Sequence, residues 1–169
     1  VDNVRMTGVD VTPQGPKVSS DFPQSNVGYL IGEIENTELK ISRSFFDGSL
    51  KGFNVGGVVG KAVSSEIIVD ALSTNVGQTY DGNLGGVAGL VTDTASSPGM
   101  VDITNVTVSS TPKVWYEDVV YGDSASPNGF VPTNAGGVIG TLNLVSNETS
   151  IIDSVHLSLP YEYLSNMDD

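Results

Sequence analysis

The stretch Asn54-Val55-Gly56-Gly57-Val58-Val59-Gly60 constrains this chain more than any other feature, because the chain repeats it. Near copies stand at Asn83-Leu84-Gly85-Gly86-Val87-Ala88-Gly89 and at Asn134-Ala135-Gly136-Gly137-Val138-Ile139-Gly140. A weaker copy, Asn26-Val27-Gly28-Tyr29-Leu30-Ile31-Gly32, has tyrosine in place of the second glycine. The asparagines at 26, 54, 83 and 134 step by 28, 29 and 51 residues. Spacing in that range marks units that stack on one another.

Each copy is followed by a second apolar run of another type. These are Leu39-Lys40-Ile41-Ser42-Arg43-Ser44-Phe45-Phe46, Ile67-Ile68-Val69-Asp70-Ala71-Leu72, Val101-Asp102-Ile103-Thr104-Asn105-Val106-Thr107-Val108 and Ile151-Ile152-Asp153-Ser154-Val155-His156-Leu157-Ser158-Leu159. All are short, rich in β-branched residues and bounded by Gly, Ser, Asn, Asp or Pro, which is a strand signature. Val1-Asp2-Asn3-Val4-Arg5-Met6 looks like Ile103-Thr104-Asn105-Val106-Thr107-Val108, with no glycine motif before it. The chain is therefore expected to begin midway through a coil. No segment sustains a 3.6-residue period over three turns. The expected fold is all-β: a parallel β-solenoid or β-helix-like stack of about four to five coils, with little or no helix. Residues 1–169 then form a single solenoid fragment, roughly 20 Å tall at the ~4.8 Å spacing of paired strands.

Taken as one strand, the motif sets Gly56, Val58, Gly60 and Ala62 on one face and Val55, Gly57 and Val59 on the other. An interior glycine costs roughly 0.5–1 kcal/mol relative to alanine. Its recurrence at Gly56, Gly57, Gly60, at Gly85, Gly86, Gly89 and at Gly136, Gly137, Gly140 implies a steric need, a tight corner or a close sheet contact. The pattern leaves open which face looks inward.

The 51-residue step points to an insertion at 110–133. It holds Trp115, Tyr116, Tyr121 and Phe130 with Asp118 and Asp123, and insertions in repeat folds gather on one face, often the binding face. An aromatic-plus-acid ligand site and an apolar flap over the side of the stack both fit that composition. Residues 12–24, with Pro13, Pro16 and Pro23, read as an extended connector.

Seven Lys and Arg against 20 Asp and Glu give a formal charge of −13, which excludes a phosphate-neutralising nucleic-acid surface as the main function. There is no cysteine, hence no disulfide, thiolate metal site or cysteine nucleophile. No apolar run reaches 18 residues, so no membrane-inserted helix is expected.

The recurring Asn-x-Gly-Gly-Val-x-Gly, followed by an Ile-x-x-Ser/Asn-x-Val strand, resembles the GLUG motif. GLUG repeats occur in large bacterial surface and secreted proteins, among them adhesin-like chains and the non-catalytic regions of metal-dependent immunoglobulin A peptidases. The resemblance spans residues 26 to about 159, departing at Tyr29 and at the insertion before the fourth copy. It implies a β-solenoid-like fold, an extracellular or cell-surface setting, and no catalytic residue, since the motif glycines and valines are structural.

No catalytic constellation stands out. His156 is the only histidine, and no His-Glu-x-x-His is present. Asp153, Ser154 and His156 lie close together, but in a regular strand Asp153 would point away from the other two. The glycine motif opens no helix and no Lys-Ser/Thr follows it, so it is no P-loop. Asp47-Gly48, Asp81-Gly82-Asn83 and Asp93 offer oxygen ligands that suit calcium, but no established calcium-loop pattern surrounds them. Asn105-Val106-Thr107 and Asn147-Glu148-Thr149 match the N-glycosylation pattern.

The expected function is a non-enzymatic spacer or adhesive domain of a larger bacterial surface or secreted protein, with no cofactor. Its expected partners are a host or neighbouring-cell surface protein or glycan, and flanking repeats of the same chain. Two alternatives are an accessory, substrate-presenting region of a secreted metalloprotease or glycan-degrading enzyme, and a saccharide-binding β-helix that stacks sugars on Trp115, Tyr116 and Tyr121.

Overall fold

The computed structural model describes residues 1–11, 25–75, 78–109, 134–145 and 149–158, with the backbone alone at 78–81 and 135. The described residues form strands and no helix. These are β1 (Arg5–Val11), β2 (Asn26–Gly28), β3 (Ile31–Glu35), β4 (Glu38–Gly56), β5 (Val59–Val63), β6 (Glu66–Asn75), β7 (Gln78–Gly85), β8 (Ala88–Thr92), β9 (Met100–Ser109), β10 (Asn134–Gly136), β11 (Ile139–Asn143) and β12 (Ile151–Ser158).

These strands pair in parallel, in three ladders. Ladder one runs β1-β4-β6-β9-β12, ladder two β2-β4-β7-β10 and ladder three β3-β5-β8-β11. The long β4 serves ladder one with its first part and ladder two with its last. The chain thus visits ladders two, three and one in turn, which makes the all-β fold solenoid-like. Like residues meet in register: Asn26, Asn54, Asn83 and Asn134 stack, as do Gly28, Gly56, Gly85 and Gly136. The likeness of Val1–Met6 to 103–108 is a register match, since Asp2 and Thr104 occupy one column and Arg5 and Thr107 another.

The glycine motif is not one strand, as its alternation suggests. Asn54–Gly56 ends β4 in ladder two, Gly57 and Val58 turn, and β5 begins at Val59 in ladder three. The turn is so tight that the two strands meet backbone to backbone. A Cβ added at Gly60 would lie 2.6 Å from the Asn26 carbonyl carbon and 2.8 Å from the Asn54 carbonyl oxygen. At Gly56 it would lie 2.6 Å from the Ala88 Cα of the following coil. Hydrogen bonds close the corner between coils: the Val87 carbonyl accepts from the Val58 and Val59 amides at 2.9 and 3.1 Å, and Val138 serves Val87 and Ala88 likewise. This corner has two residues in every copy, at 29–30, 57–58, 86–87 and 137–138.

Length varies only at the other two corners. Asn54 to Glu66 spans 12 residues, whereas the register-equivalent step from Asn83 to Met100 spans 17. The 51-residue step therefore has two sources: five residues in the 93–99 corner, and the rest between Ser109 and Asn134, outside the described residues.

Inside the ladders the core is columnar. Val55, Val58, Val59, Ile67, Val69, Leu84, Val87, Ala88, Val101, Ile103 and Val108 are all fully buried. Gly57 faces the Thr74 side chain, Gly86 faces Val108 and Gly137 faces Leu157, and these three partners share a column with Phe46. Tyr29 replaces glycine at this position. Its ring tilts against Phe46 with centroids 6.1 Å apart, and its hydroxyl donates to Asn75 Oδ1 at 2.5 Å. Asn75 in turn donates to the Gly48 carbonyl at 2.7 Å. The break in the first motif copy is thus a buried aromatic plug with its polar ends satisfied, and burial pushes the Tyr29 phenol above its ordinary pKa.

Ladder one carries a second regularity. Asn3, Arg43, Ala71, Asn105 and Ser154 all have left-handed φ values of +47° to +56° and fall in one column. The left-handed residue breaks the alternation, so two consecutive side chains point outward (Asp70 and Ala71 in β6) before Leu72 returns to the core. An L-residue other than Asn or Asp pays roughly 1–2 kcal/mol for this conformation. Ala71→Gly is expected to stabilise the protein by about 0.5–1 kcal/mol in urea denaturation, relief of strain exceeding the entropy that glycine adds to the unfolded chain. Gly60→Ala is expected to cost more than about 3 kcal/mol, because the new methyl meets backbone rather than a side chain that could rotate away. A wild-type urea midpoint for Gly60→Ala would show that the two strands are not in contact.

Candidate functional site

Register brings together two columns of polar side chains that face the neighbouring coils. The first is the asparagine of the motif. Asn54 Nδ2 donates to Asn26 Oδ1 at 2.7 Å, Asn83 Nδ2 to Asn54 Oδ1 at 2.6 Å and Asn134 Nδ2 to Asn83 Oδ1 at 2.9 Å. Thr141 Oγ1 adds a bond to Asn83 Oδ1 at 2.6 Å. At the start of the column Asn26 Nδ2 donates to Glu33 Oε2 at 2.8 Å, and Lys61 Nζ reaches Glu33 Oε1 at 2.8 Å. Lys61 is the main reason that the Glu33 carboxyl stays below its usual range. Amides suit such a column because each has a donor for one neighbour and an acceptor for the other.

The second column lies on ladder one, just before the left-handed residues, and alternates acid with hydroxyl: Asp2, Ser42, Asp70, Thr104, Asp153. Each of the first two acids takes its bonds from the coil that follows. Asp2 accepts from Ser42 Oγ at 2.7 Å and from Arg43, which also forms an ion pair with it. The Arg43 hydrogen bond, then that of Ser42, holds the Asp2 carboxyl down at about 2. Asp70 accepts from Thr104 Oγ1 at 3.4 Å and Asn105 Nδ2 at 2.8 Å. Among the described residues Asp153 has only its own neighbour, Ser154 Oγ, at 3.2 Å.

That last bond corrects one expectation. In a regular strand Asp153 and Ser154 point to opposite faces, but the left-handed φ of Ser154 turns both outward. His156 is exposed and takes no part in the bond, so the three residues still form no relay. Among the candidate calcium ligands, both oxygens of Asp93 are engaged by backbone: Oδ1 accepts from the Val145 amide at 2.6 Å and Oδ2 from the Gly99 amide at 3.0 Å. Asp93 ties its own corner to the next coil, and Ser97 from the same corner reaches Asn36 Oδ1 at 2.8 Å. The described residues contain no group of three or more acids or histidines that could hold a metal. Asn105 is exposed, but its amide is already bonded to Asp70.

The insertion residues Trp115, Tyr116, Asp118, Tyr121, Asp123 and Phe130 lie outside the described residues. Their flanks are placed: Ser109 ends β9 in ladder one and Asn134 opens β10 in ladder two, so 110–133 connects those two ladders. The motif glycines Gly56, Gly57, Gly60, Gly85, Gly86, Gly89, Gly136, Gly137 and Gly140 all sit where a Cβ would press on neighbouring atoms. Sequence reasoning missed the acid–hydroxyl column, although its five residues are all visible once the strands are in register.

Asn54 tests the amide column. Asn54→Ala strands the acceptor of Asn26 and the donor of Asn83 in a largely buried place and is expected to cost about 1–3 kcal/mol. Asn54→Asp sets oxygen against oxygen at Asn26 and is expected to cost at least as much at pH 7. Relative to wild type it should recover as pH falls below the carboxylate range, where the protonated acid can donate. Wild-type urea midpoints for both variants would remove the column from the stability of the fold. No family model, curated protein or solved structure matches the chain.

Proposed function

We propose that the chain is a non-enzymatic spacer or adhesive repeat domain of a larger bacterial surface or secreted protein, a parallel β-solenoid of four to five coils. The observation that carries this reading is where the polar side chains go. The asparagine column and the acid–hydroxyl column bond coil to coil instead of converging on a cleft, which suits a module that holds length and shape. The resemblance of the motif to GLUG repeats supports an extracellular setting. The net charge of −13 suits a soluble, self-repelling surface.

Recognition, in this reading, belongs to the insertion. The Gly-Gly-Val corner cannot lengthen without prising its two backbones apart, whereas 110–133 falls in the chain between ladder one and ladder two. Trp115, Tyr116, Asp118, Tyr121, Asp123 and Phe130 there would meet a surface protein or glycan of a host or neighbouring cell. Replacing 111–132 by a short Gly/Ser bridge should leave the melting transition within a few degrees of wild type and abolish adhesion to target cells. Trp115→Ala should weaken adhesion at least about tenfold, the scale of one buried aromatic anchor. Full adhesion by the deletion variant would move recognition to the coils, and a collapsed melting transition would make the insertion part of the core.

A further inference from the structure

The last coil differs from those beneath it in ways that all point outward from one end. Among the described residues, strands β10, β11 and β12 are terminal in their three ladders. Ile152 and Leu157 are 47% and 46% exposed, while Ile103 and Val108, their register partners on β9, are fully buried. Among the described residues nothing donates to Asn134 Oδ1, although the same oxygen of Asn26, Asn54 and Asn83 accepts from the next coil. Asp153 likewise lacks the pair of donors that Asp2 and Asp70 take from the coil above.

The filled rungs spell out what would complete this edge. Above Asp2 stands Ile41-Ser42-Arg43-Ser44-Phe45-Phe46, and above Asp70 stands Ile103-Thr104-Asn105-Val106-Thr107-Val108. Each supplies a hydroxyl to the acid, then a cationic or amide donor from the left-handed position, and an apolar residue in the columns of Ile152 (Ile41, Ile103) and Leu157 (Phe46, Val108). We infer that the open edge of β12 receives a further parallel β-strand. That strand carries Ser or Thr against Asp153, Asn or Arg against Ser154, and apolar residues against Ile152 and Leu157. Main-chain pairing supplies the attraction common to any strand, and the acid–hydroxyl step supplies the selection.

A second copy of this chain does not fit. Its exposed ladder-one edge is β1, and in the same register that edge would set Asp2 against Asp153, carboxylate on carboxylate. The inference rests on the stacking part of the proposed function and not on adhesion, so a chain that fails on cells can still pass the test below.

The test extends the full chain with a flexible Gly/Ser linker and a second copy of segment 100–109, which raises the local strand concentration to the millimolar range. The comparator carries the same tether with its copies of Thr104 and Asn105 changed to Asp and Ala. Hydrogen exchange of the amides of Ile151–Ser158 is the readout. The Thr-Asn tether should protect them at least about tenfold more than the Asp-Ala tether, and Asp153→Lys in the host should reverse that order. Equal protection by both tethers would mean that the edge does not read the step. Protection by neither would mean that it receives no strand. A head-to-tail dimer of the untethered chain in ultracentrifugation would overturn the exclusion of self-pairing.

Discussion

The structure depends on one close contact: the two backbones that meet at the Gly-Gly-Val corner. Where Gly60 abuts Asn26 and Asn54, there is no layer of side chains between ladder two and ladder three. The contact sets the length of the turn at two residues and leaves no room for a Cβ. Stacking then follows from hydrogen bonding, because the corner valine carbonyl of one coil is the acceptor for two amides of the coil before it. A corner that can only repeat itself forces the coil above to carry the same residues at the same places.

From that register come the properties of the columns. Asparagine above asparagine is favourable because an amide both gives and accepts, and aspartate above aspartate would not be, which is why the acids of ladder one alternate with hydroxyls. The left-handed column has a geometric origin of the same kind. If one coil steps out of alternation at Arg43, each paired coil has to step out beside it, whatever residue it has there. Asn3 and Asn105 suit the place, and Arg43, Ala71 and Ser154 occupy it because their neighbours do.

Much of this is legible in the amino-acid sequence. The spacing of the asparagines gave stacked units, and β-branched runs bounded by turn residues gave the ladder-one strands. The likeness of Asp2-Asn3-Val4 to Thr104-Asn105-Val106 gave the register as far as Met6, after which β1 shifts by one residue. The motif itself was misread as a single strand because both of its halves are apolar and its glycines keep step with a two-residue period across the turn. Alternation cannot reveal a corner that happens to preserve it. The left-handed column was invisible because Asn, Arg, Ala, Asn and Ser share no chemistry. The 51-residue step looked like one insertion since the extra residues of the 93–99 corner can be seen only when Met100 is paired with Glu66. Tyr29 stood out in sequence as a departure, but its meaning needed Phe46 and Asn75 beside it.

Parallel, like-on-like register is the central claim, and the absence of cysteine from the chain makes it directly testable by disulfide trapping. Ser73 and Thr107 are register partners on β6 and β9. Paired strands bring such residues to about 4.8 Å, within the range a disulfide can bridge. The Ser73→Cys, Thr107→Cys double variant should close a disulfide nearly completely under mild oxidation while folded, and not in urea. The Ser73→Cys, Ser109→Cys variant, offset by two residues and roughly 8 Å apart, should not. Equal or faster closure of the offset pair would contradict the register on which the columns, the corner and the open edge all rest.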